Sequence, residues 1–169
     1  MSAIYHERQS LMYCAIHALN NLMQCKSFTK QQFDVICSEL SSNYINPHKS
    51  VLGIGNYDIN SIIKALESKD LTVIWYDKRR EITKESIQID ESYGYIMNLP
   101  TDYTFGFITI PLIKSRHWIS LRKVNDKYYN LDSKLDKPKL IGDEEEFVSY
   151  LKSEMTSNNK ELFIIKSKS

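Results

Sequence analysis

Little in this chain suits a flexible linker, a cross-linked scaffold or a membrane span. Only 5 glycines and 4 prolines occur in 169 residues, which excludes collagen-like and linker-like sequences. Cysteine is confined to Cys14, Cys25 and Cys37. That odd count without a CxxC pair indicates neither a disulfide framework nor a thiolate zinc site. The histidines, His6, His17, His48 and His117, fall in no zinc-ligand spacing either, so no metal is expected. An excess of one charge is also missing. The 22 Lys and Arg oppose 21 Asp and Glu, a balance that argues against nucleic-acid binding through a basic surface. The longest weakly charged stretch, residues 92–113, is broken by Asn98, Pro100, Asp102 and Gly106, so no transmembrane segment is expected. The N-terminus, with His6, Glu7 and Arg8, carries charge where a signal peptide needs an apolar run. These absences together point to a reducing intracellular compartment, cytoplasmic or nuclear, in which a thiol stays available for chemistry.

What is present reads as one globular domain over residues 1–169. Hydrophobic residues make up 42% and charged residues 25%, ordinary globular usage that excludes wholesale disorder. Leu11, Cys14, Ala15, Ala18 and Leu22 recur at helical spacing between about Ser10 and Gln24. Ile16, Leu19 and Met23 broaden the apolar arc, which predicts a buried, central helix. Thr29 with Gln32 reads as a capping box opening a second helix with Phe33, Ile36, Cys37 and Leu40 inward. Residues 41–56 form a long irregular connection. Asp58 caps a third helix with the stripe Ile59, Ile62, Ile63 and Leu66. The second half turns to strands: Leu71 to Tyr76, Tyr93 to Leu99, and a hairpin of His117 to Val124 and Lys127 to Ser133 around Asn125-Asp126. Asp143 opens a further helix with Phe147, Val148, Leu151 and Met155 inward. Its acidic first turn complements the helix dipole. Leu162 to Lys166 is a last strand. Helices first and antiparallel strands after is the α+β pattern.

Cys14 stands near the start of the central helix, where unpaired backbone N–H groups favour an anion. A free thiol titrates near pH ~8.5 and is mostly protonated at neutrality. Lowering that value by about two units takes roughly 2.7 kcal/mol, more than a helix end supplies. A reactive Cys14 therefore demands an imidazolium. His17 is near in sequence, but no third group is evident to orient it. His117 is the better candidate. With a two-residue loop at Asn125-Asp126, an extended hairpin places His117 opposite Lys134. Asp132 then lies on the same face at a diagonal spacing of roughly 7–8 Å between backbones. Cys14 as nucleophile, His117 as general base and acid, and Asp132 as its orienting group make a coherent proton path. Gln9 and the Cys14 N–H are then positioned to stabilise an oxyanion. Each residue also fits a structural role: a buried Cys as filler, a strand His as core or surface, Asp132 as a strand-end cap, Gln9 as a solvated loop residue. Trp118 reads as core.

Four segments, His6-Glu-Arg-Gln9, Leu11-Met-Tyr-Cys14-Ala-Ile-His17-Ala-Leu-Asn-Asn21, Arg116-His117-Trp118 and Tyr128-Tyr-Asn-Leu-Asp132-Ser133, resemble in order and spacing the Josephin domain. Leu52 to Asp58, Asp77 to Arg80 and Tyr95 to Pro100 further resemble its short members. The resemblance implies a papain-like cysteine deubiquitinase with a nucleophile-bearing central helix packed on an antiparallel sheet. It implies the same roles for Cys14, His117, Asp132 and Gln9, and no metal or organic cofactor. Its partners would be ubiquitin and ubiquitinated proteins, acted on by a monomer. It also implies ubiquitin contacts at Ile59 and Asn60 and a second surface at Phe28, although the aromatic residue that belongs with Phe28 near Lys69 is absent. The longer ataxin branch has Asn where this chain has Asp132. Two rival readings share the same residues: a catalytically silent ubiquitin-binding module, and a Cys–His–Asp acyltransferase of the arylamine N-acetyltransferase kind.

Overall fold

The computed structural model describes residues 3–10, 13–41, 57–105 and 108–168, and their side chains outside 102–115. Among them the order is α1 (Cys14–Met23), α2 (Lys30–Leu40), α3 (Ile59–Glu67), β1 (Leu71–Trp75), β2 (Ser92–Phe105), β3 (Ile108–Val124), β4 (Lys127–Asn130), β5 (Lys139–Gly142), α4 (Glu144–Glu154) and β6 (Glu161–Ser167). The irregular connection expected at 41–56 lies outside the described residues from position 42 onward.

The caps read from the sequence set the helix boundaries. Thr29 and Gln32 form the capping box of α2, Asp143 and Glu146 that of α4, and the Asp58 carboxylate accepts the Ser61 N–H at the start of α3. The central helix is shorter than expected. It starts at Cys14, after a Tyr13 whose side chain makes no cap hydrogen bond, and ends at Gln24 in the left-handed region, φ 58°. Gln24 holds that conformation by donating its side-chain amide to the Asn21 carbonyl, 2.7 Å.

The six strands form one antiparallel sheet in the order β1-β6-β2-β3-β4-β5. The last strand of the chain is inserted between β1 and β2, so the sheet is completed only when the C-terminal residues arrive. Period-two alternation sends Ile96, Trp118, Phe163 and Ile165 to one face, against Ala15, Ala18, Leu19 and Leu22 of α1 and the buried residues of α2 and α3. Tyr95, Met97, Ile119, Leu121, Leu162 and Ile164 go to the other, against Phe147, Val148 and Leu151 of α4 and against Ile82, Ile87 and Ile89. Each large side chain so buried contributes about 1.5–3 kcal/mol, and α1 is central because it lies between the sheet and the buried residues of α2 and α3. Trp118 is core as expected, its indole N–H donating to the Tyr57 carbonyl at 3.0 Å.

Three readings of the sequence need correction. The strand expected to end at Leu99 continues to Phe105, and its partner begins at Ile108 rather than His117. Backbone pairing carries the hairpin through Pro100 and Asp102, residues that depart from the β-forming pattern ending at Leu99. A short strand, Lys139–Gly142, was not anticipated, while α4 stands between the hairpin and the last strand as expected. The loop at Asn125-Asp126 is as expected. Both residues have left-handed φ, 49° and 64°, which Asn and Asp tolerate and which suits the twist of a hairpin.

Candidate active site

Cys14, His117 and Asp132 come from three separate elements and meet at one end of α1. Cys14 is the first residue of the helix and only 6% exposed. His117 lies in β3 opposite Leu99 of β2 and is buried. Its Nε2 is 2.6 Å from Asp132 Oδ1, and the Cys14 thiol is near enough to the same imidazole to influence its titration. Burial pulls the His117 pKa down, but the Asp132 hydrogen bond, the interaction with Cys14 and the charges of both outweigh it, so the imidazole titrates above its ordinary range. Burial pushes Asp132 up, and the hydrogen bond and charge of His117 together with the Lys134 N–H bring it below the usual carboxylate range. Each partner thus favours the charged form of the other.

The contact is not made in the way the hairpin suggested. Pairing of β3 with β4 runs from Val124–Lys127 only to Leu121–Asn130, so His117 has no Lys134 opposite it. After the further bond from the Leu131 N–H to the Ser120 carbonyl, the chain leaves the sheet in a turn built around Asp132. Asn130 Oδ1 accepts the Asp132 N–H, Asp132 Oδ1 accepts the Lys134 N–H, and the Asp132 carbonyl accepts the Leu135 N–H, each at 2.9 Å. Side-chain acceptors of this kind favour turns over strands. The turn delivers the carboxylate directly to Nε2 in place of a diagonal reach.

Gln9 arrives from the N-terminal segment. Its N–H donates to the Ser133 carbonyl at 2.7 Å, and Ser133 Oγ donates to Gln9 Oε1 at 3.3 Å. Two further contacts bind the same segment to the Asp132 turn: His6 Nε2 with the Leu135 carbonyl at 2.9 Å, and an exposed Arg8–Asp136 ion pair. Residues 5–9 therefore form a strap across the turn.

Sequence reasoning missed the polar side chains under this strap. His17 does have an orienting group: its Nδ1 is 2.7 Å from Glu7 Oε2, and the Ser10 N–H reaches its Nε2 at 3.3 Å. Glu7 also accepts Asn20 Nδ2 at both oxygens, 3.1 Å each, and the Tyr5 hydroxyl at 2.5 Å. Burial pushes the Glu7 pKa up, but the hydrogen bonds from Tyr5, His17 and Asn20 hold it below the ordinary value. Asn20 and Asn21 are both buried. A signal for them existed, because two consecutive Asn in the middle of an apolar helix are poor helix formers and require partners when buried.

Ile59 is half-buried, packs against the helical core and begins α3. Asn60 beside it is exposed, its amide donating to Asp58 Oδ2 at 3.0 Å. Phe28 is buried edge-on against Phe33, with the Lys69 ammonium 5.6 Å from its ring centre. Cys14, Cys25 and Cys37 form no disulfide, and Cys25 alone is exposed. Among the described residues no helix is long and apolar enough to cross a membrane, and no cluster of three His, Cys, Asp or Glu side chains is arranged to hold a metal ion.

Comparison with known proteins agrees in extent with this arrangement. The Josephin family model matches residues 9–166. Human Josephin-2 is 40% identical over 166 residues, covering 98% of this chain and 87% of its own. A Josephin-like protein of Drosophila melanogaster is 41% identical over 165 residues, covering 96% and 73%. Ataxin-3 of Gallus gallus is 24% identical over 184 residues, covering 98% of this chain and 46% of its own.

Proposed function

The chain belongs to the Josephin family, with the papain-like α+β fold of cysteine proteases, and on that footing we propose that it is a thiol-dependent deubiquitinase. The reaction is hydrolysis of the isopeptide bond between the C-terminal glycine of ubiquitin and a lysine amine. The observation that carries this reading is the buried His117 imidazole bonded to Asp132 at 2.6 Å, with Cys14 at the start of α1 beside it. With Nε2 committed to Asp132, Nδ1 is the ring nitrogen that exchanges a proton with Cys14. His117 takes the thiol proton as Cys14 Sγ attacks the glycine carbonyl. Negative charge on the carbonyl oxygen is met by the Gln9 side-chain amide and the Cys14 N–H. Collapse breaks the C–N bond, His117 protonates the departing lysine amine, and a thioester remains. A water molecule then gives its proton to His117 and its oxygen to the acyl carbon, which restores the thiol and releases the ubiquitin carboxylate.

In this reading residues 1–169 act as one catalytic domain and as a monomer. Ubiquitin lies against Ile59 and Asn60 at the start of α3. The setting is the reducing cytoplasm or nucleus, where Cys14 stays a thiol. An electrophilic ubiquitin probe tests the reading. The expected result is a covalent adduct with the wild type that disappears in Cys14→Ala. Tight binding without an adduct would indicate a ubiquitin-binding module instead. Product formation from acetyl-coenzyme A and an arylamine, without ubiquitin hydrolysis, would indicate an acyltransferase.

A further inference from the structure

Asn21 is fully buried and lies seven residues after Cys14 on α1, two helical turns along the same face. Its side-chain amide makes bonds in three directions with opposite polarities. Oδ1 accepts the Glu7 N–H at 2.5 Å, while Nδ2 donates to the Glu7 carbonyl at 3.2 Å and to the Leu131 carbonyl at 2.9 Å. Glu7 is two residues before Gln9, and Leu131 is the residue before Asp132. The three segments that carry Cys14, Gln9 and Asp132 are thus tied through one planar group. Outside this group, the strap and the turn are joined by the Gln9–Ser133, His6–Leu135 and Arg8–Asp136 contacts, none of which reaches the helix. The Glu7–His17, Glu7–Asn20 and Tyr5–Gln24 bonds join the strap to the helix without reaching the turn.

We propose that Asn21 is the positioning residue of the active site, its amide setting the spacing of the nucleophile helix, the Gln9 strap and the Asp132 turn. The proposal rests on the deubiquitinase reading for its catalytic consequence, though not for its geometric one. An apolar residue of the same size would leave the Glu7 N–H and two carbonyls unpaired in a buried place. The strap and the turn would then move to find other partners. A displacement of about 1 Å at this distance from the chemistry costs about 10²-fold in rate.

The test compares Asn21→Ala and Asn21→Ser with Phe147→Leu, a core change on the opposite face of the sheet that lowers thermal stability without touching the site. Each folded variant is assayed on a ubiquitin fluorogenic substrate at a temperature well below its Tm. Asn21→Ala should lose about 10²-fold in kcat with KM changed less than threefold, Asn21→Ser should recover part of that loss, and Phe147→Leu should keep the wild-type kcat. In parallel, iodoacetamide alkylation at Cys14 is followed against pH by mass spectrometry. The Asn21→Ala profile should separate from that of the wild type, whereas the Phe147→Leu profile should coincide with it. An unchanged kcat and alkylation profile in folded Asn21→Ala overturns the proposal. So does a kcat loss that tracks Tm across all three variants, or failure of both Asn21 variants to fold. If the wild type hydrolyses no ubiquitin substrate, the deubiquitinase reading falls, and the alkylation profiles decide for Asn21 alone.

Discussion

Asp132 Oδ1 sits 2.6 Å from His117 Nε2 although the strands leading to these residues stop pairing at Leu121 and Asn130. The bond is made by a turn that departs from the sheet. It is charge-assisted and mostly buried, with side-chain exposures of 5% for His117 and 18% for Asp132. Such bonds are stronger than neutral ones and tolerate little displacement.

The pH dependence of stability follows from the opposite shifts of this pair. His117 is raised, so its contribution is complete below about pH 6.5, where the unfolded imidazole is protonated, and is lost as pH rises through the folded value. Asp132 is lowered, so its contribution is complete above about pH 4 and is lost as pH falls through the folded value. The wild type should therefore exceed Asp132→Asn in stability by about 1–2 kcal/mol between those limits. Urea melts from pH 3 to pH 9 should show this difference shrinking at both ends, and a constant difference would contradict the assignment.

Removal of the proposed nucleophile should leave the fold and abolish the chemistry. Cys14→Ala and His117→Ala are each expected to lose at least about 10³-fold in ubiquitin substrate hydrolysis. Asp132→Asn should retain part of the activity, because an amide still orients the imidazole. Full activity of purified Cys14→Ser would refute the nucleophile.

Gln9 gives a sharper test of the oxyanion role. Gln9→Ala should reduce kcat by about 10²–10³ with little change in KM. A loss confined to KM would instead assign Gln9 to substrate binding.

Glu7 is expected to matter for stability. Replacing it with Ala takes the carboxylate from partly buried His17 Nδ1 and from buried Asn20 Nδ2, which keeps only the Phe28 carbonyl, at about 2 kcal/mol. Because the Glu7 pKa is held low, the wild-type advantage should fade as pH drops through that value. Thermal melts of wild type and Glu7→Ala at pH 7 and pH 3 measure both effects.

Local signals in the chain announced much of this architecture. The caps at Thr29, Asp58 and Asp143, the apolar arc of α1 and the Asn125-Asp126 loop each depend on residues within one or two turns of one another, so their pattern survives in one dimension. The nucleophile could be proposed because Cys14 lies at a helix start, and His117 because a thiol requires an imidazole from elsewhere. The strands that escaped notice were Lys139–Gly142, four residues too short to show a period, and the outer parts of the β2–β3 hairpin, where Pro100, Asp102 and Gly106 interrupt the β-forming residues of the sequence.

Composition, periodicity and motif order were enough to establish an α+β chain with a cysteine at the head of its buried helix and a histidine far downstream, since those properties depend on which residues are near one another along the chain. They could not say how Asp132 reaches His117, that Glu7 orients His17, or that Asn21 binds the strap and the turn to the helix. Those contacts join positions 10 to 110 residues apart. Their existence depends on where β4 stops pairing and on which buried amides are left requiring partners, and both are settled only when the sheet and helices have packed.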